Sequence, residues 1–316
     1  MNDDGAALNL VFLGTPEFAV PALKALHDSR HAIRLVVTQP DRRSGRGRKQ
    51  APPPVKTAAL EMGYPVDQPE STRSEAFKYR LAAASPDLLA VVAFGQILKA
   101  DILRTARRGA VNIHPSLLPR YRGPAPIQRA VIDQAPETGV TTMMLDEGMD
   151  SGDILLTRRT PIGPDETAGD LHDRLARIGA DLLLETIDGL QSGAVRPRTQ
   201  DHDAATYAPM LGKEDGHINW TADADAIEAL IRGVTPWPGA FTFYGDQRLK
   251  IFKARVAHLE ADAPPGTVVP GFPDELRVAT GEGALSILEI QSASGKRMDI
   301  ASFLRGCDLS VGSQLK

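Results

Sequence analysis

Disulfides, export signals and membrane spans are not expected in this chain of 316 residues. A single cysteine, Cys307, leaves no internal disulfide available and fits a reducing, cytoplasmic compartment. The N-terminus opens Met1-Asn2-Asp3-Asp4, acidic rather than basic, and its first apolar run, Leu8 to Leu13, is too short for a signal core. The longest comparable run, Leu88 to Phe94, falls far short of a bilayer. No GxGxxG follows the first apolar run, so a dinucleotide role has no support. Neither GxSxG nor HExxH occurs, which removes the usual signatures of a serine hydrolase and a zinc protease. Charge of neither sign dominates: 36 Lys and Arg against 40 Asp and Glu leave a net −4, with no global attraction for nucleic acid.

What is present describes a folded protein of more than one core. Hydrophobic residues at 42% and charged ones at 24% exclude general disorder, and the length favours two domains. Residues 8–13 read as a strand ending at Gly14, after which Thr15-Pro16-Glu17 has the chemistry of a helix start. Strands are expected at 33–38, 87–93, 110–113, 139–145 and 154–159. Helices are expected at 55–62, 71–83, 127–133 and from 167 to about 190. Asp87 to Ala93 is apolar almost throughout, which suits a parallel strand covered on both faces. This alternation predicts an α/β, Rossmann-like doubly wound, mostly parallel sheet, with ligands beyond the carboxyl ends of its strands. From Ser192 to Ala208 the chain is polar and turn-rich, and short strands and turns follow: 240–244, 248–257, 266–269, 276–280 and 285–290. The expected division is a catalytic domain at 1–191, a linker at 192–208 and a small C-terminal OB-like β-barrel at 209–316.

Two local features carry chemistry. Between Asp41 and Lys56 lie Arg42, Arg43, Arg46, Arg48, Lys49 and Lys56 against the one acid, a local +5. Gly45 and Gly47 loosen this stretch and Pro52 to Pro54 stiffen its exit, so it reads as a mobile basic arm. The second feature is Val111 to Pro124, VNIHPSLLPRYRGP. Alternation along a strand puts Asn112 and His114 on one side, a hydrogen-bond donor beside a proton carrier. Prolines bracket the loop that follows, Pro115-Ser116-Leu117-Leu118-Pro119, and make it stiff.

Taken with Asp150 in Glu147-Gly148-Met149-Asp150-Ser151-Gly152, these residues resemble the Asn, His and Asp signature of the 10-formyltetrahydrofolate-dependent formyltransferases. Ser116-Leu117-Leu118-Pro119 matches their folate loop. The opening Gly14-Thr15-Pro16-Glu17-Phe18, the Thr38-Gln39-Pro40-Asp41-Arg42 entry to the basic stretch and the late Trp237-Pro238-Gly239 resemble the methionyl-tRNA formyltransferase branch over nearly the whole chain. Arg43 stands where proline is common in that family, Tyr121 where tryptophan is, and Met149 where leucine is. None of these departures removes a proposed catalytic group.

The resemblance implies formyl transfer from 10-formyltetrahydrofolate to initiator methionyl-tRNA in translation initiation, without a metal, by a monomer. In that reaction Asn112 stabilises the oxyanion. His114 serves as acid or base, and Asp150 orients it or takes a proton from the amine. Ser116, Leu117, Leu118 and Pro119 hold the folate, while Arg42, Arg43, Arg46, Arg48 and Lys49 meet the tRNA acceptor end, with Arg46 foremost. Arg248, Lys250, Lys253 and Arg255 are candidates for further tRNA contact. From Met210 to Lys316, however, 11 basic residues face 14 acidic ones, a net −3, so any basic face there is local. Four other readings stay open. One is a formyltransferase for an amino sugar nucleotide or purine precursor. Another is a non-catalytic RNA-binding protein. A third is a hydrolase using Ser116. The last is a metal held by His27 and His31.

Overall fold

The computed structural model describes residues 6–44, 49–257, 262–307 and 309–316. It divides into two compact units. The first takes residues 1–123, 137–161 and 172–207; the second takes 124–136, 162–171 and 208–316.

The first unit starts with β1 (Asn9–Gly14), α1 (Val20–His27) and β2 (Ala32–Val37). A short hairpin follows, β3 (Arg42–Ser44) and β4 (Lys49–Ala51), then α2 (Pro54–Glu61), β5 (Val66–Asp67) and α3 (Glu75–Ala83). Next come β6 (Leu88–Val92), α4 (Ala100–Leu103) and β7 (Ala110–His114). After α5 (Pro126–Ile132), which belongs to the second unit, the chain returns for β8 (Glu137–Met144) and β9 (Ile154–Pro161). The long helix α6 (Ala168–Ser192) completes the set, its first turn counted with the second unit.

Seven of these strands form one sheet in the order β5-β2-β1-β6-β7-β8-β9. Pairing is parallel through β7, and β8 and β9 are added antiparallel. The strand order reverses between β1 and β6, the kind of switch point beside which α/β sheets open a crevice. All five residues of β6 are buried, as its apolar run predicts. Val11, Leu13, Leu89 and Val91 pack with Phe77 and Leu81 of α3 and Ile102 of α4. Helix α3 starts later than the expected residue 71, because the Ser74 side chain accepts a hydrogen bond from Phe77 N–H and caps it there. The basic stretch, expected as a mobile arm, has β-paired backbone on both sides, Arg42 opposite Ala51 and Ser44 opposite Lys49.

The second unit adds α7 (Ala224–Gly233) to an antiparallel sheet. Its strands are β10 (Ala240–Tyr244), β11 (Gln247–Ala257), β12 (Val268–Val269), β13 (Leu276–Ala279), β14 (Ala284–Ser292) and β15 (Met298–Asp299), with α8 (Ile300–Leu304) after them. The order is β10-β11-β14-β13-β12, and β15 pairs with β14. The final residues curl this sheet toward closure. Lys316 exchanges backbone hydrogen bonds with Phe243 beside β10, while Leu315 N–H donates to Gly266 and Val268 N–H to Ser313 beside β12. Helix α7 was not foreseen. Asp223 caps it through Ala226 N–H, and Ile227 and Ile231 enter the barrel core with Trp220, Leu249, Ile251, Val278 and Leu285. Gly233 permits its close approach to α5, since a Cβ there would lie 2.4 Å from Ile132 Cγ1. No helix among the described residues is long and apolar enough to cross a membrane.

Candidate active site

Strand β7 lies between β6 and β8, with Asn112 opposite Val91 on one side and Met143 on the other. Burial on both flanks fixes its register, so Asn112 and His114 share a face, as alternation predicts. The Asn112 amide is half-buried and has no hydrogen-bond partner among the described residues. His114 is 4% exposed and sits between two loops.

The first loop, residues 115–123, is held from inside. Thr141 Oγ1 donates to the Ser116 carbonyl at 2.7 Å and accepts from Leu118 N–H at 3.2 Å. The Leu118–Pro119 bond is cis, and Leu118 packs against Met143 and Ile154. Ser116 is fully buried and its hydroxyl donates to the Arg120 carbonyl at 2.6 Å, which takes it out of reach of a nucleophile's role. Tyr121 adopts φ 60°, and its carbonyl meets His114 Nε2 at 2.9 Å. A carbonyl only accepts, so Nε2 carries a hydrogen there and the neutral ring presents a bare Nδ1.

The second loop, residues 146–152, brings Asp150 to that nitrogen. Asp150 Oδ2 is 3.6 Å from His114 Nδ1 and accepts from Gly123 N–H at 2.8 Å. Asp150 has φ 50°, and Ser151 folds its hydroxyl back onto Asp146 at 2.9 Å. Gly152 is required by contact, because a Cβ there would stand 1.9 Å from the Met144 carbonyl. The structure therefore brings Asn112, His114 and Asp150 to one end of the sheet. Ser116 and Leu118 turn into the protein, and Leu117 and Pro119 are half-buried.

Of the basic stretch, Arg42 is exposed and reaches Gln39 Oε1 at 3.1 Å. Arg43 and Lys49 have their backbones on the hairpin, and Arg46 and Arg48 lie outside the described residues. Lys56 is paired with Asp41 at 2.8 Å, so these two cancel in the local charge. The Lys56 ammonium, with help from Gln68, holds the Asp41 carboxyl below the usual carboxylate range. Lys250, Lys253 and Arg255 are exposed along β11, while Arg248 stacks over the Phe241 ring at 3.5 Å.

His27 and His31 do not form a pair. Helix α1 ends at His27, whose Nδ1 meets Tyr64 Oη at 2.7 Å. His31 Nδ1 accepts from Leu8 N–H at 3.2 Å and its Nε2 faces Asp188 at 3.3 Å. Among the described residues no group of three His, Cys, Asp or Glu side chains is placed to hold a metal.

Two residues near these strand ends, Thr206 and Gln200, were missed by reasoning from sequence, and Thr15, read there as part of a helix start, makes a contact of its own. Thr15 Oγ1 donates to the Phe94 carbonyl at 2.8 Å across the switch point. Thr206 receives Tyr121 N–H on its hydroxyl at 2.8 Å, and Gln200 reaches the Asp150 loop. The last two lie in the span read as a linker. Their only signal is that polar side chains there, Gln200 above all, interrupt an otherwise ordinary turn composition.

Comparison with known proteins identifies the family and the fold. The formyl transferase family model matches residues 8–187, and the formyl transferase C-terminal domain model matches 210–308. A methionyl-tRNA formyltransferase of Desulfotalea psychrophila is 49% identical over 98% of this chain and 96% of its own length. One from Caldanaerobacter subterraneus subsp. tengcongensis is 46% identical over 98% of this chain and 100% of its own. Among solved structures, the sugar 3N-formyl transferase WlaRD, crystallised with dTDP and 5-N-formyl-THF, superposes at a TM-score of 0.66. It covers 92% of this chain and 100% of its own at 18% identity. HypX from Aquifex aeolicus in complex with tetrahydrofolic acid gives 0.64, covering 95% of this chain and 47% of its own at 16% identity. These two show the shared fold. The family model's match over more than half of the chain, together with full-length relatives near one-half identity, places this chain in the methionyl-tRNA formyltransferase family.

Proposed function

We propose that this protein transfers the formyl group of 10-formyltetrahydrofolate to the α-amino group of initiator methionyl-tRNA, acting as a cytoplasmic monomer in translation initiation. The observation that carries the reading is the convergence of the Asn112 amide, without a hydrogen-bond partner among the described residues, with the His114–Asp150 pair at the carboxyl end of β7. Folate supplies the formyl carbonyl. The amide N–H of Asn112 donates to the oxygen on which negative charge develops, and a donor in that position is worth about 2.7–4 kcal/mol. As the amine nitrogen bonds to the formyl carbon and the bond to the folate nitrogen breaks, the amine loses a proton and the folate nitrogen gains one. His114 Nδ1 and the Asp150 carboxylate are placed to carry it. The hydrogen bond to the Tyr121 carbonyl keeps the ring in the orientation this needs. Ser116 and Leu118 point inward, so the folate loop offers its backbone groups and the sides of Leu117 and Pro119.

Arg42, Arg43, Arg46, Arg48 and Lys49 bind acceptor-end phosphates in this reading, which gives salt-dependent affinity with little sequence information. A sugar nucleotide would make no use of such a hairpin. The test is formylation of charged initiator methionyl-tRNA, run beside uncharged tRNA, an amino sugar nucleotide and His114→Ala. Turnover that needs both the aminoacyl group and His114 supports the reading. Turnover on the sugar nucleotide alone, or binding of tRNA without turnover, overturns it. Replacing Arg46 and Arg48 together by alanine raises the tRNA KM and leaves the folate KM in place.

A further inference from the structure

We infer that Gln200 is a positioning residue for Asp150 and that Arg122 sets the direction of its amide. This rests on the proposed formyl transfer only in assigning a proton-carrying role to the His114–Asp150 pair. Gln200 is 4% exposed and every hydrogen-bonding site on its side chain is occupied. Its Nε2 donates to the Asp150 carbonyl at 2.8 Å and to the Gly152 carbonyl at 2.7 Å. Its Oε1 accepts from Arg122 Nε at 3.1 Å and Nη2 at 2.7 Å. A guanidinium has donors only, so the oxygen of the amide must face Arg122 and the NH₂ must face the loop. Arg122 is itself 4% exposed, and its Nη2 also meets His202 Nδ1 at 3.1 Å. A buried cation that faces a neutral amide rather than a carboxylate is oriented for this one task.

The loop requires such a hold. Asp150 sits at φ 50°, a region that non-glycine residues seldom occupy, and Gly152 is pressed against β8. With both carbonyls of this turn fixed, Asp150 Oδ2 is kept within 2.8 Å of Gly123 N–H and beside His114 Nδ1. Without the two donors of Gln200 the turn relaxes and the carboxylate leaves the imidazole. Gln200 is buried and its amide is fully engaged by the protein, so its effect falls on kcat and not on either KM.

Two substitutions separate this role from a general structural one. Gln200→Met keeps the length and removes the donors. Gln200→Glu keeps the shape and the bond to Arg122 but sets a carboxylate against two carbonyls; when protonated it regains one donor. Both variants are expected to lower kcat on the order of 10–100-fold, the size seen when the partner behind a functional histidine is removed in metal sites. Both substrate KM values stay within about two-fold. In a double-mutant cycle Arg122→Lys adds nothing to Gln200→Met, because both act through one amide. A readout free of the acceptor is the ring ¹⁵N resonances of His114, which move in Gln200→Met. Parent turnover on methionyl-tRNA tests the proposed function separately. If the folded variants keep kcat within two-fold, or if the His114 resonances stay in place, Gln200 does not position Asp150.

Discussion

The catalytic end of the first unit and the outer face of the barrel treat polar groups differently. Around His114 most polar groups are buried or half-buried and hydrogen-bonded: Thr141 donates to Ser116, Ser116 to Arg120, His114 to Tyr121 and Gln200 to Asp150. Removing one partner from such a series leaves a buried group unsatisfied, at about 1–3 kcal/mol. Along the barrel, Arg297 pairs with Glu289 and stacks over Phe252, and Lys250, Lys253 and Arg255 face water. Exposed pairs of this kind contribute about 0–1 kcal/mol each. Pairs that are mostly buried differ, as at Arg232 and Glu228, 2.7 Å apart, where burial pushes the Glu228 carboxyl up against the pull of Arg232. The lesson is one of tolerance. Chemistry at a carbonyl needs groups held to fractions of an ångström, whereas attraction of a polyanion needs only charge that is free to adapt.

The largest effect expected from this contrast is on rate. Asn112→Ala should lower kcat by about 10²–10³-fold with little change in melting temperature, because the amide is half-buried and has no hydrogen-bond partner among the described residues. Steady-state formylation and a thermal melt check it, and an unchanged kcat would break the assignment of the oxyanion donor.

Removing residues 313–316 is next in size. It takes away the backbone bonds of Lys316 to Phe243 and of Leu315 to Gly266, together with a Leu315 side chain that is 2% exposed. A loss on the order of 3 kcal/mol is expected in the second unit. Hydrogen exchange should rise beside β10 and β12 while β6 and β7 keep their protection. Equal loosening of both units would show that the contrast between them does not extend to stability.

A smaller effect is expected for Lys250, Lys253 and Arg255 replaced together by alanine. The tRNA KM should rise a few-fold at about 0.1 M salt, with a shallower salt slope and no change in folate KM. A strong fall in kcat instead would mean that these charges are held in place like the groups around His114.

The smallest is a pH effect. Burial lowers the His31 pKa from 6.5, with the Asp188 carboxylate pulling the other way and Arg30 adding to the fall. The unfolded chain then takes up a proton more readily than the folded one, so stability rises with pH and this part of it is lost below about pH 6.5. His31→Asn should flatten the stability profile between about pH 5 and 7, by at most one proton's slope. Denaturant titrations at several pH values measure it.

How much of this was legible in the chain differs from element to element. The buried strand β6, the β7 end with Asn112 and His114, and the turn carrying Asp150 all follow from local pattern: an apolar run, alternation, and glycine and aspartate where the backbone turns. Helix α7 carried a cap at Asp223 and helical spacing at Ile227 and Ile231, yet it was overshadowed by the strand pattern after it. The paired backbone of Arg42–Ser44 with Lys49–Ala51 escaped because glycine content pointed to a flexible loop. Gln200 and Thr206 left almost no trace, since their importance lies in partners about 50 and 85 residues away.

The sequence by itself determined which residues are candidates for the reaction and which strand presents them, because alternation, proline spacing and the order of the motifs act over a few residues. Only the tertiary structure decided how those residues are aimed. The ring orientation of His114, the left-handed turn at Asp150 and the buried amide of Gln200 depend on hydrogen bonds between segments far apart in the chain, and such bonds exist only once the sheet has brought the loops together.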